Sequence, residues 1–220
     1  MNDVKLSARG AATRMRIVES AAVLMYQGGT IPTSLDDVLA ASGTGKSQLY
    51  HYFRDKADLV SAVIEHQIGA VLREQADLLA DVVTTDQLRA WAAMIVEYQR
   101  QHLGVGGCPI GSLAAELADR SESYRTQILA GFIRWQDLIL AALRRIQDSG
   151  GLGGHAPVED LARALLTALQ GGLLMTQTTR DVTHLRLALD LALTAVDGHR
   201  VAAGAPSARS SRENEIRLAR

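Results

Sequence analysis

The chain has 220 residues, 47% of them hydrophobic, so it is long enough and apolar enough for one sizeable core or two small ones, and disorder is excluded as its general state. Its formal net charge is -1, so any attraction to nucleic acid has to be local rather than a property of the whole surface. The single cysteine, Cys108, allows no disulfide within the chain and fits a reducing cytoplasm.

The first 16 residues, "MNDVKLSARGAATRMR", hold no apolar core and do not read as a secretion signal. Residues 1–11 read as a flexible basic arm. Lys5, Arg9, Arg14 and Arg16 face only Asp3 in charge, so this end either attracts phosphates or is a solvated leader. A first helix is expected from about Thr13 to Gln27, with Ile17, Ala21, Leu24 and Met25 as its buried stripe and Gly28-Gly29 as its stop. A short helix follows, with Thr33 as the expected cap, Asp36 three residues on, and Leu35, Val38 and Leu39 facing inward. Gly43 ends it in a tight turn. Thr44 or Gly45 then caps a third helix reaching Phe53, and a long fourth helix starts near Asp55 or Lys56. Its stripe is Leu59, Val63, Ile64, Ile68 and Leu72, and "VTTD" at 83–86 marks a break.

Further helices are expected at about 87–102, 110–118, 122–148, 157–178 and 183–200, with Pro157 in the first turn of its helix. Residues 204–220 read as a frayed, solvated tail in which Arg209, Arg212, Arg217 and Arg220 are interleaved with Glu213 and Glu215. The pattern is that of an all-α protein. No apolar run approaches the roughly 20 residues of a membrane span. The six histidines are scattered and no metal-ligand spacing occurs, so neither a metal nor another cofactor is expected.

The stretch "ASGTGKSQLYHYFRDK", residues 41–56, admits two chemistries. A phosphate-binding loop needs G-x-x-x-x-G-K-[ST] after a buried strand. The first glycine would fall at Ala40, and the preceding "SLDDVLA" is helical in its spacing. A nucleotide enzyme is therefore disfavoured. A helix-turn-helix fits better: a short capped helix, a glycine turn and a second short helix. Leu49 and Phe53 are four apart and share an inward face. Lys46, Ser47, Gln48, Tyr50 and Tyr52 then project outward. Lysine and glutamine suit base edges, while tyrosine hydroxyls and lysine suit phosphates. Only three lysines occur, Lys5, Lys46 and Lys56, and two of them stand at this motif. A helical interaction module without DNA binding is the competing class.

Residues 12–72 resemble the DNA-binding domain of the TetR (tetracycline repressor) family. The matching positions are Ala21-Ala22, Gly29, Thr33-Ser34, Val38, Gly43, Leu49-Tyr50, Phe53, Lys56 and Leu59. Met25, Leu39 and Ala57 depart from the usual pattern. "GCPIGSLAAELAD", residues 107–119, resembles a segment of the LmrA/YxaF-like branch of that family. The resemblance implies a dimeric repressor of a palindromic double-stranded operator, with a helical ligand-binding and dimerisation domain over residues 73–203. It implies base contacts from Lys46, Ser47 and Gln48, and phosphate contacts from Thr33, Tyr50, Tyr52 and Lys56. Thr44, beside the turn, is grouped with them.

The last two helices are apolar around most of their circumference, which calls for burial on two sides. One side is expected to meet a second copy of the chain. Leu165, Leu169 and Gly172 on one helix, and Leu185, Leu189 and Leu193 on the other, are assigned to that contact, and Gly171-Gly172 suits close approach. Trp91, Met94 and Tyr98 share a helix face, and Phe132 and Trp135 share another. Such side chains suit either an apolar ligand cavity or ordinary core packing. Cys108 either joins that cavity or is a small buried residue. The expected effector is an apolar or aromatic small molecule.

Overall fold

The computed structural model describes residues 7–201. The expectations for Asp3, Lys5 and the tail after residue 204 lie outside those residues. Among the described residues the elements are α1 (Ala8–Gly28), α2 (Leu35–Ser42), α3 (Lys46–Tyr52), α4 (Lys56–Leu79), α5 (Thr85–Gln101), α6 (Pro109–Leu117), α7 (Glu122–Asp148), α8 (Val158–Thr179) and α9 (Thr183–Asp197). An isolated β-bridge joins Leu152 to Arg200, and no strand forms among the described residues. The fold is all-α, and the helices expected from periodicity are present within a few residues. None of the described helices is long and apolar enough to cross a membrane.

Local chemistry sets the helix ends. α1 begins at Ala8, where the Ser7 hydroxyl accepts from the Gly10 amide at 3.2 Å. Arg9, Arg14 and Arg16 therefore belong to a helix and not to an extended arm. The cap of α2 is one residue later than expected. Ser34 and Asp37 form a reciprocal box, with the Asp37 amide donating to Ser34 Oγ at 3.1 Å and the Ser34 amide to Asp37 Oδ2 at 2.8 Å. Thr33 turns inward instead and donates its hydroxyl to Gly29 O at 2.7 Å. Gly43 closes α2 at φ 61°, ψ 29°, a left-handed conformation that a side chain would strain. α4 starts at the Asp55 cap, and Thr84 with Gln87 caps α5 after the expected break. Pro157 sits at the cap of α8, one position before its first turn.

Helices α1, α2, α3 and the start of α4 enclose Ile17, Ala21, Val38, Leu49, Phe53 and Leu59, all buried. The remaining helices pack α4 on α7, α7 on α8, α8 on α9, and α5 on α9. α4 runs unbroken from one cluster into the other, so the expected boundary at residue 72 falls inside a helix. α8 and α9 are in the closest contact. A Cβ at Gly172 would come within 2.8 Å of Leu185 Cα, so the glycine sets the distance between these two helices of one chain.

That contact corrects the expected interface. Leu165, Leu169, Leu185, Leu189 and Leu193 are at most 3% exposed, and Gly172 is buried with them. They are core positions of α8 and α9, with Gly172 and Leu185 meeting where the two helices pack. The outward side carries Leu174 and Leu191, exposed by 60% and 72%, with Met175, Leu187, Gly171 and Ala195 also exposed. Both helices are apolar on two sides, as the sequence implied. The richer stripe belongs to the chain's own core, because a single chain has to bury most of its leucine to fold at all.

Candidate nucleic-acid interface and effector cavity

α3 is seven residues long and is held from beneath by one of them and by the residue that follows it. Leu49 is fully buried, and Phe53, which closes the helix, is 1% exposed. Arg14 of α1 lies over the Phe53 ring at 5.0 Å, and Arg16 Nε donates to Ser42 O at 3.0 Å. α1 thus grips both helices of the motif with its own basic side chains. Lys46, Ser47, Gln48, Tyr50 and His51 are exposed, and Tyr52 is half-buried with its ring edge against His51 at 4.8 Å.

Exposed Gln48 and half-buried Lys56 also have intramolecular partners. Gln48 Oε1 accepts from the Gly45 amide at 3.2 Å, so it closes the first turn of α3 and leaves its Nε2 as a donor. Lys56 Nζ donates to Ile31 O at 2.8 Å and ties α4 to the α1–α2 turn. Thr44 is 7% exposed, and its hydroxyl pairs with that of Ser42 at 2.7 Å. Thr33 and Thr44 therefore face into the domain, in contrast to the surface position expected of them. Hydroxyls at this depth serve the turn geometry. The element before "GTGKS" is helix α2, and Gly45 caps a helix of seven residues. The strand that a phosphate-binding loop requires is absent from this site.

A cavity of about 420 Å³ opens between α4, α5, α7 and α8, with Tyr26 of α1 at one side. Of the residues the sequence singled out for a cavity or for core packing, Met94, Tyr98, Cys108 and Trp135 line it. Trp91 and Phe132 do not. Trp91 is fully buried and its indole N–H donates to Gln75 Oε1 at 3.0 Å, while Phe132 is half-buried against the core. Seven residues separate Trp91 from Tyr98, about 10 Å along the helix. One face can pass from core to rim over that distance, and Tyr98 is 53% exposed. Leu169, expected at the dimer contact, lines this cavity instead.

Sequence reasoning missed Tyr26, Gln75 and Gln99. A signal was present for the glutamines: each occupies a core position of its helix, Gln75 between Leu72 and Leu79, and Gln99 four residues after Ile95. Tyr26 donates its hydroxyl to Gly107 O at 3.2 Å, and burial, with Cys108 and Tyr98 nearby, pushes its pKa up to about 12. Burial likewise raises the Cys108 thiol, so it is a neutral wall group rather than a ready thiolate. Among the described residues no three His, Cys, Asp or Glu side chains gather as a metal site requires.

α6 joins cavity and DNA-binding motif. Its cap, Cys108, and its first residue, Pro109, border the cavity. Near its other end Glu116 accepts from the Thr30 and Ile31 amides, both at 2.9 Å. Burial opposes the Glu116 charge, but Thr30 and the two amides outweigh it and hold the carboxyl below the usual carboxylate range. The turn between α1 and α2 is therefore fastened to the same helix that walls the cavity.

Residues 17–63 match the family profile described as bacterial regulatory proteins, tetR family, and residues 84–192 match the tetracyclin repressor-like C-terminal domain. An HTH-type transcriptional regulator of Mycobacterium tuberculosis is 30% identical over 188 residues, covering 79% of this chain and 89% of that one. The HTH-type regulator YxaF of Bacillus subtilis is 25% identical over 190 residues, covering 83% and 93%. Among solved structures, a TetR transcriptional regulator of Chloroflexus aurantiacus superposes with a TM-score of 0.75 at 25% identity, covering 89% of this chain and all of that one.

Proposed function

The chain belongs to the TetR family of DNA-binding transcriptional regulators, and from that premise we propose that it is a cytoplasmic, effector-responsive repressor that binds a near-palindromic operator as a homodimer. The observation that carries the DNA role is the surface of α3: Lys46, Ser47, Gln48 and Tyr50 stand exposed on a helix anchored through Leu49 and the following Phe53. Lys46, Ser47 and Gln48 are the base readers, through donors that suit guanine and adenine edges in the major groove. Tyr50, Tyr52 and Lys56 hold phosphates. Thr33 and Thr44 support the turn from inside.

The second copy docks on the outward face of α8 and α9. Leu174, Met175, Leu187 and Leu191 form an apolar surface flanked by Gly171 and Ala195, which lets a partner helix approach. Such a dimer sets two α3 helices in successive major grooves, about 34–36 Å apart. An effector in the cavity acts by favouring one spacing over another, which requires unequal affinity for the two forms. α6 is the coupling element, since it borders the cavity at Cys108 and fastens the α1–α2 turn through Glu116.

Selection from random duplex DNA tests the central claim. An enriched palindrome bound by two chains supports it. A chain that enriches no sequence is a helical interaction module instead.

A further inference from the structure

Gln75 and Gln99 are 7% and 5% exposed overall, yet neither side-chain amide is among the polar groups sealed in the core without a partner, so their unpaired atoms open onto the cavity that both residues line. Gln75 Oε1 accepts from Trp91 Nε1, which fixes the amide and leaves its Nε2 as a free donor. Among the described residues no protein group pairs with Gln75 Nε2 or with the side-chain amide of Gln99. Both residues line the cavity. The ring of Trp135 lines it too, and its indole N–H is buried without a partner.

Among the described residues the cavity wall carries no Lys, Arg or His and one carboxylate, Glu74, which is exposed at the surface. Tyr26 and Cys108 hold their protons at neutral pH. An anion would lose its hydration here and meet no countercharge. The rest of the wall, including Val71, Leu78, Ile95 and Leu173, offers only apolar contact. Its volume, about 420 Å³, falls among small-molecule sites.

We infer that the effector is an uncharged molecule with an apolar body and a carbonyl-type acceptor, and that the Gln75 and Gln99 amides hold that acceptor. This rests on the reading of the cavity as the effector site. Gln75 supplies a donor of fixed direction. Gln99 rotates to donate or to accept, so it tolerates a second polar atom on the ligand. The apolar wall binds the body without regard to orientation, and the two amides orient it.

Three probes of similar shape test this by isothermal titration with the full chain: benzophenone, diphenylmethane and 2-benzoylbenzoate. The neutral ketone should bind about tenfold more tightly than the hydrocarbon, the weight of one buried hydrogen bond. It should also bind more tightly than the carboxylate. Gln99→Leu should cut the ketone's advantage several-fold and leave the hydrocarbon unchanged, with a melting curve confirming the fold. Gln99 is the informative position, because Gln75→Leu also strips Trp91 of its partner. Equal binding of ketone and hydrocarbon, a preference for the carboxylate, or a ketone preference undiminished by Gln99→Leu overturns the inference and leaves the cavity standing as a site. Failure of all three probes to bind overturns both. Operator affinity with and without benzophenone tests the regulatory reading separately.

Discussion

The outer surface of α3 carries Lys46, Ser47, Gln48 and Tyr50 above two buried anchors, whereas the outer surface of α8 and α9 carries Leu174, Met175, Leu187 and Leu191 above core positions filled by buried leucine. Both lie on amphipathic helices. A polar surface loses nothing in water and gains when it meets a polyanion, so α3 can stand exposed between binding events. An apolar surface in water forgoes about 25 cal/mol per Å², which burial against a like surface recovers. The first surface suits an intermittent partner such as DNA. The second suits a permanent one, a second copy of the chain. The depth of support differs accordingly: α3 rests on one or two side chains, and α9 on a whole stripe.

The sharpest way to break this comparison is to place a charge on each side of α9. Leu189→Arg buries an unpaired cation in the core and should cost several kcal/mol, leaving insoluble or unfolded chain. Leu191→Arg, two residues away and pointing outward, should leave the melting temperature of the protomer nearly unchanged. Sedimentation should then show monomers with weakened operator binding. A Leu191→Arg chain that remains dimeric removes this face as the interface.

Next in size is the anchor of α3. Leu49→Ala should lower unfolding free energy by about 2–5 kcal/mol through an unfilled cavity, seen in denaturant titration. Tyr50→Ala, on the neighbouring exposed position, should leave stability almost unchanged and weaken DNA binding. Equal stability losses from the two would mean that α3 is packed on both sides.

Glu116→Gln tests the joint between the two regions. One amide of the α1–α2 turn should lose its acceptor, at about 1–3 kcal/mol. The carboxyl is depressed in the folded chain, so its contribution is complete above the unfolded pKa of about 4.3 and is lost as pH falls through the lowered value. The variant should therefore show a shallower loss of stability on the acid side. An unchanged acid limb would show that the clamp contributes nothing.

The smallest effects separate base from phosphate contacts. Lys46→Ala and Gln48→Ala should each cost about 1–3 kcal/mol on the best operator and relax one symmetric pair of positions. Gln48→Glu should keep the acceptor that caps α3 while losing the base donor, so specificity falls without the change in stability. Lys56→Ala should weaken all sequences alike and lower the salt-dependence slope by roughly one per site. A uniform loss from Lys46→Ala and Gln48→Ala would move base reading to Ser47 or Tyr50.

Much of the fold was legible because its signals are local. Gly43, the Asp55 cap and the Thr84 break each act within one turn of chain, and period and caps placed the helices within a few residues. The α2 cap slipped from Thr33 and Asp36 to Ser34 and Asp37 because the two pairs have the same spacing. Only the contact of Thr33 with Gly29 O decides between them. The candidate site was legible in part. Chemistry and helix phase left Met94, Tyr98, Cys108, Trp135 and Trp91 between cavity and core; the first four line the cavity, and Trp91 is core.

By itself the sequence determined an all-α chain, a helix-turn-helix with Lys46, Ser47 and Gln48 facing out, and two last helices apolar on both sides. Those properties depend on periodicity, capping and residue type, which are written within a few turns of chain. The tertiary structure alone decided which apolar side of α8 and α9 is core, and that Gln75 from α4 and Gln99 from α5 meet Tyr26 from α1 around one cavity. It also decided that Glu116 fastens a turn more than 80 residues earlier in the chain. Depth and long-range proximity arise from how helices stack. Periodicity gives a side chain its direction around its own axis and no information about what lies beyond it.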